Sequence, residues 1–128
     1  MSKGYKGLEV WQKEIDLAVE CYRYTETFPS REVYGIVAQI RQAAASVPAN
    51  IAEGQGRRSV GDFIRFVDIA YGSLTELETH LILAERLSFL DPQAAGELLQ
   101  RTSQIGRMLN GLRSSLRGQR RQPMTDDR

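Results

Sequence analysis

Apolar residues recur along this chain at alternating spacings of three and four, the period of one face of an α-helix. Leu8, Trp11, Ile15, Ala18 and Tyr22 predict a first helix over residues 8–24. Pro29 then breaks the pattern, and Ser30 is placed to cap a second helix carrying Val33, Val37, Ile40, Ala44, Val47 and Ile51 on one face. That helix is predicted to run to about Glu53, with Gly54 and Gly56 ending it and Pro48 kinking it. Ser59-Val60-Gly61-Asp62 has the form of a capping box. It opens the longest periodic stretch, Phe63, Val67, Ala70, Leu74, Leu77, Leu81 and Ala84, which predicts a third helix to about Leu87. Asp91-Pro92 restarts the chain, and Leu98, Ile105, Leu109, Leu112 and Leu116 carry a fourth helix to about Arg117. No segment alternates with the period of a strand. The expected fold is all-α: an up-down four-helix bundle with a kinked second helix over residues 1–118, followed by a flexible tail over 119–128.

Apolar residues also lie off these stripes. Val10, Leu17 and Tyr24, with Cys21 beside them, form a second line on the first helix. Ile64, Tyr71 and Ile82 lie about 80 to 100° from the centre of the core stripe on the third. Two such lines on a lone bundle would stay wet, so these six residues are the expected interface of a homo-oligomer.

Composition narrows the class. Of the 128 residues, 41% are hydrophobic and 26% charged, which fits one folded domain. No apolar run reaches the roughly 20 residues of a membrane span. With no signal-peptide pattern and a single cysteine, the expected compartment is the cytoplasm, with no membrane contact. Net charge is +1, but it is unevenly spread. Residues 1–97 carry 10 Lys/Arg against 14 Asp/Glu, whereas residues 98–121 hold Arg101, Arg107, Arg113, Arg117, Arg120 and Arg121 with no acid.

Little of the chain reads as chemistry. The one histidine, His80, shares a helix face with Glu76, too few ligands for a metal site. Cys21 has Glu14, Asp16 and Glu20 on its helix, a setting that does not activate a thiol. With no nucleophile elbow or phosphate-loop motif present, neither enzymatic activity nor a cofactor is expected. The stretch "ASVPANIAEGQGRRS" reads as a kinked helix end, with small residues that admit a neighbouring helix. Asn50 and Glu53 are placed to tie that end to the loop or to the next helix, Glu53 to an arginine among Arg57, Arg58 and Arg65. The alternative is direct ligand contact: the loop glycines and Arg57 and Arg58 precede a helix N-terminus, where backbone N–H groups attract a phosphate.

"QIRQAAASVPANIAEGQGRRS", followed by "DFIRFVDIAYGSLTELETHLILAERL", resembles the bacterial four-helix-bundle family of 23S rRNA intervening-sequence proteins, and the likeness extends back to "LEVWQKEIDLAVECY". The motif is matched by Pro48, Asn50, Ile51, Ala52, Glu53, Gly54, Arg57 and Ser59. Its second part is matched by Asp62, Phe63, Gly72, Ser73, Leu74, Glu76, Leu77 and Glu78. The resemblance implies a protomer that assembles into a ring, usually a pentamer, and brings no catalytic residue with it. It also implies a fold similar to the accessory variability determinant of diversity-generating retroelements, a pentamer that binds nucleic acid and a reverse transcriptase.

Two functions follow as expectations. In the first, the protein is an RNA- or DNA-binding accessory factor whose phosphate contacts come from Arg57, Arg58, Arg113, Arg117, Arg120 and Arg121, repeated around the ring. In the second, it is an oligomeric scaffold for a protein partner, and the arginines serve only the helix dipole and solubility.

Overall fold

The structure, a computed structural model, describes residues 4–121 and the side chains of residues 4–120. A 3-10 turn at Gly4–Gly7 leads into α1 (Glu9–Thr25). A second 3-10 turn at Ser30–Glu32 precedes α2 (Ile36–Gln55), and α3 (Val60–Arg86) and α4 (Pro92–Arg121) follow across short connections. Each helix packs on its sequence neighbours, and α4 closes back onto α1. Among the described residues no diagonal pair of helix backbones comes as close, which is the cross-section of an up-down bundle. The core is one cluster, with Ile40, Ile51, Leu77, Leu81, Leu98, Ile105 and Leu109 at its centre. No helix of the described residues is long and apolar enough to cross a membrane.

Local chemistry sets the boundaries. Ser59 Oγ accepts from the Asp62 N–H at 3.0 Å, and Asp91 Oδ1 accepts from the Ala94 N–H at 2.8 Å, so α3 and α4 start where the capping residues placed them. The second helix starts later than predicted. Ser30 makes no side-chain cap, opening only a single 3-10 turn, and Val33 is left nearly half exposed rather than in the core. Instead, α2 begins after Gly35, where Glu32 Oε1 accepts from the Ile36 N–H at 3.5 Å. Helix α2 runs through Pro48, which is buried, and Asn50 Nδ2 donates back to the Ser46 carbonyl and hydroxyl at 2.8 and 3.0 Å.

Gly54 does not end α2; the helix reaches Gln55 and is capped by Gly56. Gly54 is buried in the seam with α3, and a Cβ there would stand 2.6 Å from Phe66 Cβ and 2.9 Å from Phe63 Cδ1. A missing side chain, rather than conformational freedom, is what the position requires. At the other terminus α4 continues past Arg117 to Arg121. The expected tail thus loses residues 119–121 to the helix, and its remainder lies outside the described residues.

The interface predicted on α1 is corrected. Val10 and Leu17 are buried at 6% and 2% exposure, Cys21 is fully buried, and Tyr24 is half-buried against the core. The inward face of α1 is Val10, Glu14, Leu17, Cys21 and Thr25. It lies one residue before the stripe Trp11, Ile15, Ala18, Tyr22, a rotation of about 100°. Glu14 and Thr25 occupy core positions and break the apolar period there, so the more regular neighbouring stripe looked like the core. On α3, Ile64 is also core, whereas Tyr71 and Ile82 are exposed as expected.

Candidate nucleic-acid interface

The end of the bundle where α3 begins and α4 finishes gathers the basic residues. Helix α3 opens at Ser59 in an extended conformation; the Ser59 hydroxyl accepts from the Asp62 N–H, and the first turn of α3 is the positive end of the helix dipole. The antiparallel α4 brings its last turns alongside. The Arg120 guanidinium lies over Gly61, where a Cβ would stand 3.3 Å from Arg120 Cζ. Arg58, Ser59, Val60, Gly61, Gln119 and Arg120 line an open pocket of about 450 Å³. Residues some sixty positions apart in the chain thus converge on one helix N-terminus, the geometry that favours an anion.

The six predicted arginines divide by their partners. Arg57 donates to Glu53 Oε2 at 2.7 Å, the tie expected for Glu53, and its guanidinium lies 4.9 Å from the Phe66 ring centroid. Arg113 is held by Asp68, with Nε on Oδ1 at 2.5 Å and Nη2 on Oδ2 at 3.5 Å. Among the described residues no ion pair reaches Arg58, Arg117 or Arg120. The side chain of Arg121 lies outside the described residues. Arg113, Arg117 and Arg120 share the α4 edge as expected, but the first is neutralised by a carboxylate that α3 supplies. Arg65, which places a second guanidinium 5.4 Å from the Phe66 centroid, belongs to this end as well. Arg65 is one of the three arginines expected as the partner of Glu53, a role that Arg57 takes.

A second surface has a different character. Tyr22, Val33, Tyr34, Ala38, Ala45 and Ala49 line an open apolar groove of about 600 Å³ along α2. Tyr34 is 93% exposed. Arg41 sits in this groove, donating from Nε to Thr25 Oγ1 at 2.9 Å and from Nη2 to the Tyr22 carbonyl at 3.2 Å, with its guanidinium 4.7 Å from the Tyr22 ring centroid. Small residues along one edge of α2 were its only sequence signal, and they had been assigned to helix packing near Pro48.

The one thiol is sequestered. Burial, with a smaller contribution from Glu20, pushes the Cys21 thiol up to about 12 against a weak opposing effect of Arg101. That thiol is no nucleophile at neutral pH. Among the described residues no group of three or more His, Cys, Asp or Glu side chains is placed to hold a metal ion.

The family model described as 23S rRNA-intervening sequence protein matches residues 6–111. No curated protein matches the chain. Among solved structures, the chain is similar to a protein of unknown function from the S23 ribosomal protein family of Bacteroides thetaiotaomicron VPI-5482. The two share 24% identity over 80% of this chain and 96% of that one, with a TM-score of 0.73, a likeness of fold.

Proposed function

Because the chain belongs to the 23S rRNA-intervening sequence protein family, we propose that it is a non-enzymatic accessory protein that binds the phosphate backbone of RNA as a homo-oligomeric ring. The carrying observation is the convergence of Arg58 and Arg120 on the N-terminus of α3, with Arg117 about one turn earlier on α4; among the described residues no ion pair reaches any of the three. Guanidinium groups beside a helix N-terminus hold phosphate without reading bases, so binding of this kind is weak in sequence preference. One such site is modest. A ring repeats it once per protomer, and the repeats act together on one strand. The exposed Tyr34, Val33, Tyr71 and Ile82 supply apolar surface for the assembly, in place of the buried Val10, Leu17 and Ile64.

The test is RNA binding across a salt series for wild type and the triple variant Arg58→Ala/Arg117→Ala/Arg120→Ala, with the native mass of both measured. Each lost phosphate contact on a single strand lowers the salt slope by about 0.7, so the triple variant is expected to lose about 2 from its slope for each protomer the strand engages. Affinity should fall by at least about tenfold at low salt, with the assembly mass unchanged. An unchanged slope, or no binding by wild type at low salt, overturns the proposal. The second reading, a scaffold for a protein partner, is favoured by the apolar groove around Tyr34. Partner binding there would be nearly insensitive to salt and abolished by Tyr34→Ser.

A further inference from the structure

The inner face of α1 carries a carboxyl group where the core should be apolar. Glu14 is 1% exposed, and both of its carboxylate oxygens are buried without a hydrogen-bond partner. On its own helix it lies between Val10 and Leu17, one turn away on either side, with Cys21 a further turn on; all three are core. Among the described residues, no charged group of the packed elements forms an ion pair with Glu14. At the seam with α4, Lys13, Asp16 and Arg101 line a surface groove with Gln104. On α2, Arg41 is bonded to Thr25 and Tyr22 toward the far end of α1, and Glu53 is paired with Arg57. In the 3-10 turn before α1, Lys6 offers only its carbonyl, to Gln12. None of these groups compensates a charge on Glu14.

We infer that the docking of α1 is proton-dependent: the helix packs while the Glu14 carboxyl is neutral and loosens when that group ionises inside the core. The physical basis is desolvation. A carboxylate moved out of water with neither cation nor donor beside it is strongly disfavoured, and the group keeps its proton instead. Burial accordingly pushes Glu14 from 4.5 up to about 8. The folded state then binds one more proton than the unfolded chain between those two values, so stability falls as pH rises through that window and levels off above it. Helix α1 is the element to yield, since it begins without a side-chain cap and is the helix that carries the group.

The sequence supplies its own reporter, because Cys21 is the only thiol in the chain and is fully buried on the same face. The assembled wild-type protein and Glu14→Leu are compared from about pH 5.5 to about pH 9.5 by urea unfolding and by Cys21 labelling. Dividing the labelling rate by that of urea-unfolded protein at the same pH removes the thiol's own titration. In wild type the unfolding equilibrium constant is expected to rise about tenfold per pH unit up to about pH 8 and then flatten, with Cys21 protection falling in step. In Glu14→Leu both profiles should be flat by comparison. Parallel profiles in the two proteins overturn the inference. Should the variant fail to fold, carboxyl-carbon NMR of wild-type Glu14 decides. A midpoint near 8 sustains the inference, and one in the ordinary carboxylate range overturns it.

Discussion

The seam between α2 and α3 and the inner face of α1 solve the same problem in opposite ways. In the first, small residues let two backbones approach: Gly54 faces Phe66 Cβ directly, and the Ser46 and Ser73 hydroxyls share a hydrogen bond at 2.8 Å. In the second, a full-length carboxyl stands in the core with nothing bonded to it, while Thr25 satisfies its hydroxyl on the Cys21 carbonyl at 2.8 Å. The seam is closely fitted; the α1 face holds a polar group at an energetic cost. Packing quality therefore differs between sides of one small bundle, and the side that is polar inside is the one able to respond to its surroundings.

The largest effect that would break this contrast comes from the α1 face. Replacing Glu14 by Leu, of similar size, removes the buried acid, and at pH 7 the linkage from its raised proton affinity amounts to about 3 kcal/mol of added stability. The gain should grow toward pH 8 and shrink toward pH 5, as read by urea midpoints. A destabilised Leu variant would mean that the carboxyl is satisfied by a partner in solution. Next comes the seam. Gly54→Ala should cost about 2 kcal/mol despite the better helix propensity of alanine, because the obstacle is a Cβ fixed to the α3 backbone. Thermal unfolding that is unchanged or improved would show that the two helices can separate freely there. Smaller still is the cap: Ser59→Ala leaves the Asp62 N–H without its partner and should cost about 1 kcal/mol by the same measurement.

These magnitudes bear on what the sequence could disclose. The core faces of α3 and most of α2 were legible because every inward position there is apolar or small, so the period of 3.6 survives. On α1 it does not survive: Glu14 interrupts the true face, and the stripe one residue along is apolar enough to replace it. Val10, Leu17 and Tyr24, expected at an oligomer interface, pack in or against the core for the same reason. Gly54 was legible as a glycine of consequence but not in its role, since a stop signal and a close approach look alike until the facing Phe66 is known. In the basic cluster, residue types were legible and partners were not. The local Glu53–Arg57 pair could be anticipated four residues apart, whereas Arg113 is claimed by Asp68 from 45 residues earlier. Only the antiparallel run of α3 against α4 creates that pair.

That pair gives the finest test, because its effect on stability is close to nothing while its effect on function has a definite sign. Both side chains are partly exposed, at 34% and 46%, so breaking the pair with Asp68→Asn should change stability by no more than about 0.5 kcal/mol. What changes is the charge that α4 presents. With Arg113 released, α4 presents one more guanidinium on the edge it shares with Arg117 and Arg120, and on an RNA strand the salt slope should steepen by about 0.7 for each protomer the strand engages. Arg113→Ala, by contrast, removes a guanidinium that is already neutralised and should leave the slope nearly unchanged, unlike Arg117→Ala. If Arg113→Ala weakens binding as much as Arg117→Ala does, the pair opens when RNA arrives, and Asp68 acts as a latch on the surface instead of a permanent partner. If Asp68→Asn leaves the slope as it was, Arg113 lies outside the path of the strand, and phosphate contact is confined to the turn of α4 that lies over Gly61.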